Sequence, residues 1–207
     1  MEYESSTFRN MKYKYRFFFT LDYLLKKIGI NFTKANIYSF KLDNFAFKEP
    51  KNDNVVIKEC KIEDLHLFGE LEDLFLQDML NGHILVAAFL NDQWVGYNWA
   101  SLNPIEVEEV EHFIHFDGAY LYRAYVKDEY RQMGIMNKIT YFTLNQIKNK
   151  YKKNEAYAIT ETANVPANRT LAGLKFSKIG TIKYSRIFLW KRYDENIKNN
   201  AVTLLEV

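Results

Sequence analysis

The stretch Ala119 to Met136, AYLYRAYVKDEYRQMGIM, constrains this chain more than any other. An apolar, aromatic run ends at Val126 and the polar turn KDEY follows. Arg131-Gln132-Met133-Gly134-Ile135-Met136 then opens a segment with helical periodicity. A strand that feeds a glycine-containing turn at a helix start leaves backbone N–H groups converging without partners, and the helix dipole favours negative charge there. Such a corner suits a pyrophosphate. The spacing is neither G-x-x-x-x-G-K-[ST] nor G-x-G-x-x-G, so the common mononucleotide and dinucleotide loops are excluded.

Periodicity orders the rest of the chain. Residues 8–28 read as an amphipathic helix ended by Gly29, and Asn31 to Phe47 as one or two strands. The polar break Glu49 to Asn54 is the expected boundary. Beyond it come a strand at Val55, helical spacing from Lys61 to Leu80, and strands His83–Leu90 and Trp94–Leu102 around an Asn91-Asp92-Gln93 turn. An acidic stretch, Glu106 to Glu111, precedes a strand over Gly118–Val126. A helix over Arg131–Lys150, a strand over Ala156–Glu161 and a short helix over Asn164–Gly173 come next. Phe176 to Arg192 offers two strands broken near Tyr184-Ser185. The order predicts an α+β fold with a mixed sheet. Expected units are 1–52 as an N-terminal extension, 53–193 as the main domain and 194–207 as a tail.

Two motifs in this order resemble the GNAT superfamily of acyl-CoA-dependent N-acyltransferases. Arg131 and Gly134 match its [RQ]-x-x-G-x-[GA] signature, with Met136 in place of a small residue. Asn164-Val165-Pro166-Ala167, followed by Leu174-Lys175-Phe176, resembles the family's N-x-x-[AS] and L-G-F pattern. Lys175 stands where glycine is usual. The helix end therefore either holds a lysine in left-handed backbone or is built differently. The resemblance covers roughly Val55 to Arg192. It implies a mostly antiparallel mixed sheet whose fourth and fifth strands splay at a bulge, with helices on both faces and an N-terminal helical and β extension outside the domain.

The resemblance also implies a reaction. The pantetheine arm of acetyl-CoA, or of another acyl-CoA, would enter the splay and pair with Ala124, Tyr125 and Val126. Amides of Arg131, Gln132, Met133, Gly134, Ile135 and Met136 would hold the pyrophosphate, and Asn164 would reach the arm. A neutral primary amine, on a small molecule or a sugar, would attack the thioester. Its ordinary pKa is about 10, so a base must take its proton. Where many family members place a glutamate on the fourth strand this chain has Tyr120, and where many place an acidic tyrosine it has Leu171. Tyr120 and Tyr122, which period-two alternation sets on one face with Ala124 and Val126, and Glu161 are the expected substitutes. The alternative is a non-catalytic protein of this fold that binds CoA or a partner.

Charge and cysteine usage bound the setting. The net charge of +2 gives no reason to expect nucleic acid. It is uneven: Phe8 to Ile30 carries six bases and one acid among aromatics. That segment is expected to dock on the domain with its bases in solvent; contact with an anionic membrane surface is the second reading, and RNA the last. Cys60 is the only cysteine, so no internal disulfide forms and no thiol cluster awaits a metal. No apolar stretch has bilayer length. The expectation is a cytoplasmic, metal-free acyltransferase, with membrane-peripheral contact through residues 8–28 as the variant. His112 and His115 are expected in a solvated loop.

Overall fold

The computed structural model describes residues 24–25, 27–43, 45, 54–197 and 201–205. Most of the expected N-terminal helix lies outside them; Leu24, Leu25 and Lys27 are helical, and the turn closes with the Ile28 N–H on Leu24 O at 3.2 Å.

One eight-stranded sheet organises the molecule. Its strands are β1 (Ile30–Lys41), β2 (Val55–Glu59), β3 (Ile84–Leu90), β4 (Gln93–Ser101), β7 (Ala119–Val126), β8 (Glu155–Glu161), β9 (Ser177–Ile187) and β10 (Trp190–Ile197). They lie in the order β10-β9-β1-β8-β7-β4-β3-β2. Every neighbouring pair is antiparallel except β7 and β8. A smaller sheet joins β5 (Ile105–Val107), β6 (His112–Phe116) and β11 (Val202–Leu204) in the order β11-β6-β5.

Alternation along the strands gives the large sheet two apolar faces. Helix α2 (Ile135–Asn149) covers one, setting Ile135, Ile139, Leu144 and Ile147 against Val86, Leu121 and Val126. The other face carries a 3₁₀ segment (Ile62–Leu71), kinked at Gly69, and α1 (Glu72–Leu80). Leu65, Phe68 and Phe75 pack there on Leu85, Phe89 and Trp99. Beside them the small sheet lays Val107, Val110 and Ile114 on Tyr120, Tyr157 and Ile159. The acidic stretch is therefore a seated hairpin and not a solvated loop, because Val107 and Val110 are buried. His112 in it is half-buried with its ring 4.5 Å from that of Tyr193, whereas His115 is exposed.

Three sequence expectations need correction. β1, assigned to an extension, is a central strand: Ala35 to Lys41 pair with β8 while Ile30 to Ser39 pair with β9. Its residues Ala35 and Ile37 are fully buried. The tail is not separate either, since β10 runs to Ile197 and Val202 pairs with Phe116. Finally, β9 passes unbroken through Tyr184-Ser185 because both pair with β1, and the chain turns at Phe188-Leu189.

Lys175 resolves the open question about the end of α3 (Val165–Gly173): it takes left-handed backbone at φ 69°. A lysine there carries a strain of about 1–2 kcal/mol.

Because β1 bridges β8 and β9, its loss exposes two strand edges and opens the core. Deletion of residues 1–41 should yield insoluble or unfolded protein, read by circular dichroism and thermal melting. A cooperative melt in the deleted chain would show that the sheet closes without β1.

Candidate functional site

β7 and β8 pair only through Ala119–Ala156, Tyr120–Tyr157 and Leu121–Ala158. Beyond Leu121 each strand keeps its other neighbour: β7 stays on β4 as far as Val126–Gly96, and β8 stays on β1 as far as Glu161–Ala35. A gap opens between them, and β8 no longer pairs with β7 from Tyr122 to Val126.

A bulge drives the parting. Tyr122 opposes Trp99 and Tyr125 opposes Tyr97, so Arg123 and Ala124 together face the single residue Asn98. Arg123 sits at φ 45°, and both bulge residues are exposed. An extra residue in one strand bends it and reverses the alternation beyond. Tyr125 therefore points with Tyr122 to the α1 face, and Val126 joins the α2 core. The expected common face for Tyr120, Tyr122, Ala124 and Val126 does not survive this. Gly96 lets the strand end sit close: a Cβ there would lie 2.8 Å from Tyr125 O and 3.2 Å from Ile139 Cδ1.

The turn after β7 builds the expected corner. The Arg131 side chain closes it, with Nε donating to Val126 O at 3.2 Å and a 2.7 Å ion pair to Asp128. The Arg131 N–H donates to Asp128 O, so Arg131 shapes the corner and its amide is already taken. Gln132 and Gly134 are both left-handed, at φ 66° and 73°. Left-handed residues set within such a turn swing successive N–H groups toward one point. Among the described residues no N–H from Gln132 to Asn137 donates to another backbone group, and the first intrahelical bond runs from the Lys138 N–H to Gly134 O. A Cβ added at Gly134 would meet nothing within 4 Å, so the space before the helix is open. Met136 packs its side chain against the α2 core and leaves that space clear.

The expected chemical groups divide. Tyr120 is buried, with its ring parallel to those of Phe116 and Tyr122 at 4.6 and 5.8 Å; it is a packing residue. Tyr122 is half-buried at the last position before the bulge and is hydrogen-bonded to His83 Nδ1. Burial lowers the His83 pKa, against the pull of Asp78, which favours a neutral ring. Burial also raises the Tyr122 hydroxyl well above its ordinary value. Asn164 caps α3 through its Oδ1, which accepts the Ala167 N–H at 3.2 Å. Asn168, which the sequence reading passed over, ties α3 to the sheet: its Nδ2 donates to Glu161 O, and its Oδ1 accepts from Asn36 and Tyr38.

A further carboxylate went unread in the sequence. Glu109 lies in the β5–β6 turn, and its neighbours fix the turn from both sides. Glu108 accepts from Arg123 Nε and Nη2 at 3.2 and 2.8 Å, and Arg123 also binds Asp78. Glu111 accepts from Asn31, Tyr184 and Arg186 on β1 and β9. The turn thus spans from β7 to the far side of β8, across the end where the two strands part. Burial pushes the Glu109 carboxyl up to about 7, with Glu108 and Glu161 adding to the shift. One acid within a run of glutamates carries no sequence signal of this kind. It acquires one only when the turn is folded over the sheet.

An open depression of about 300 Å³ lies on the outer side of the small sheet, between Glu106, His112 and Lys191. Glu111 lines it, whereas Glu109, Tyr122 and Glu161 do not. Among the described residues no group of three or more His, Cys, Asp or Glu is placed to hold a metal ion.

No family model matches the chain, and no curated protein does. Solved structures do match in fold. A Drosophila protein shares 13% identity at a TM-score of 0.55, over 83% of this chain and 57% of its own. A conserved Staphylococcus epidermidis protein of unknown function shares 16% at 0.52, over 81% and 66%. A Novosphingobium aromaticivorans protein assigned to the GNAT family of acetyltransferases shares 10% at 0.53, over 76% and 65%. This chain thus spans about two thirds or less of each of these structures.

The raised Glu109 carboxyl has a thermodynamic signature. Between the ordinary carboxylate range and about 7 the folded state holds a proton that the unfolded chain releases, so stability falls as pH rises through that window. Glu109→Gln removes this loss. The variant should melt at the same temperature as the parent near pH 4.5, melt higher by pH 7, and hold the difference above. Parallel melting curves would refute the placement of Glu109.

Proposed function

The fold described above is that of the GNAT acyltransferases, and we propose that the chain moves an acetyl group from acetyl-CoA to a primary amine. The observation that carries this reading is the stretch of β7 beyond Leu121 that β8 no longer covers, beside the amides of Gln132 to Asn137, which donate to no backbone group among the described residues. An extended arm can add to such an edge as a strand. A diphosphate can be received by such amides at a helix start. The residues therefore fit acyl-CoA in both its parts. When bound, it supplies an activated acyl carbon and a thiolate leaving group.

The chain's own groups do the remainder. The β7 edge between Tyr122 and Val126 orients the acyl end, and an N–H on it offers an oxyanion donor. Glu109, poised near neutrality, takes the proton that an ammonium must lose before it can attack; matching a base to working pH is what makes it effective. Glu161, at the end of β8, adds negative charge that draws a cationic amine to the same place. Tyr122, hydrogen-bonded to His83 and next to the bulge, is the hydroxyl proposed to return a proton to the leaving sulfur. The protein is read as acting in the cytoplasm.

Gly134→Asp sets a carboxylate against the anion corner and forces a side chain onto left-handed backbone. Acetyl-CoA and CoA should raise the melting temperature of the parent and leave that of Gly134→Asp unchanged. A parent that neither ligand stabilises would end the acyl-CoA reading.

Glu109→Gln should lower kcat/KM about a hundredfold with a panel of primary amines. It should also abolish the rise in rate that the parent shows as pH climbs through about 7. An unchanged pH profile in the variant would remove Glu109 from this role. A parent that binds CoA yet turns over no amine would favour the non-catalytic reading, for which Tyr120 and Leu171 at the family's usual catalytic positions speak.

A further inference from the structure

Among the described residues two hairpins close through two-residue turns. β3 and β4 meet at Asn91-Asp92, with φ of 50° and 60°. Asn and Asp tolerate left-handed backbone, and such turns favour them. β9 and β10 meet at Phe188-Leu189, with Phe188 at φ 54°. A bulky aromatic at positive φ is an outlier of the kind found at functional sites. Packing does not account for it: Phe188 is 66% exposed, Leu189 99% and Trp190 57%. The β3–β4 hairpin closes its own two-residue turn with polar residues, so a turn of this length does not call for apolar ones.

The apolar surface continues onto β1. The Phe188 N–H donates to Gly29 O at 2.7 Å, and Ile187 pairs with Ile30. Ile28 and Phe32 are exposed on either side of that junction. Bases follow the tip at once, with Lys191 and Arg192 both exposed. The segment that leads into β1, from Phe8 to Ile30, carries six bases and one acid.

We propose that the β9–β10 tip docks on an anionic bilayer, placing Phe188, Leu189 and Trp190 in its interface. The shape argues for lipid over protein. A projecting turn of three apolar side chains offers far too little area for a stable protein partner or a second copy, but it suits insertion among headgroups. The chemistry argues the same way, because aromatic and aliphatic side chains with flanking lysine and arginine are what an anionic interface retains. The Gly29–Phe188 hydrogen bond holds Gly29, at the end of that segment, against the tip. β1 continues from Ala35 back to Ile30 beyond its last pairing with β8, at Glu161. The tip therefore lies toward the end of the sheet where the β7–β8 gap opens, and docking brings that mouth toward the membrane. This inference stands without the acyltransfer reading.

Co-sedimentation of the full chain tests it, with vesicles of phosphatidylcholine alone and with about 30% phosphatidylserine. The chain should partition onto the anionic vesicles, release with salt, and shift its tryptophan emission to the blue. Leu189→Ser with Trp190→Ser should lower that partition at least about tenfold. Phe188→Asn serves as the second variant, since it removes the ring and relieves the backbone: it should melt no lower than the parent and still bind anionic vesicles less. A parent that stays in the supernatant would overturn the proposal. So would tip variants that bind as the parent does, or a tip-dependent dimer in light scattering with no vesicle binding.

Discussion

The site rests on one extra residue. Because Arg123 and Ala124 share a single partner on β4, β7 bends away from β8 three residues after the two strands begin to pair. A regular strand would continue along β8 and satisfy its own edge. Arg123 is also the anchor of the acidic turn, through Glu108, and of α1, through Asp78. Ion pairs with this much exposure add little stability one by one. Their effect here is geometric: the residue that opens the strands also holds, through Glu108, the turn that carries Glu109.

Much of this was legible because it is local. The strand, turn and helix from Ala119 to Asn149 follow from an apolar run, a glycine and a 3.6-residue period, and they were found within a few residues. Helix α3 is local in the same way, with a proline tolerated in its first turn; the capping role of Asn164 was not read. What pairing decides was not legible. β1 has the composition of any alternating strand, and nothing in its residues says that it will sit between β8 and β9, far from its sequence neighbours. The reversal of alternation after Arg123 was hidden too, since arginine is no bulge signal.

The candidate site divides along the same line. The anion corner is made of consecutive residues, and its backbone conformation could be expected from Gly134. Glu109 could not be expected, because its environment is assembled from β5, β7 and β8. Tyr120 failed as a candidate for the converse reason. Its place on the strand was right, but the small sheet that buries it comes from the acidic stretch and β11.

Glu109 also runs against stability. A carboxyl raised toward neutrality by burial and by two neighbouring acids opposes folding whenever it is ionised. A turn with no other task would relax by swinging that side chain into water. This one is held in place by Arg123 on one side and by Asn31, Tyr184 and Arg186 on the other. Phe188 poses the same problem in backbone form, an aromatic in left-handed conformation where the β3–β4 turn uses asparagine and aspartate. Unfavourable local choices held by surrounding structure are expected where a protein does something besides fold. The two here mark the mouth of the gap and the tip of the outer hairpin.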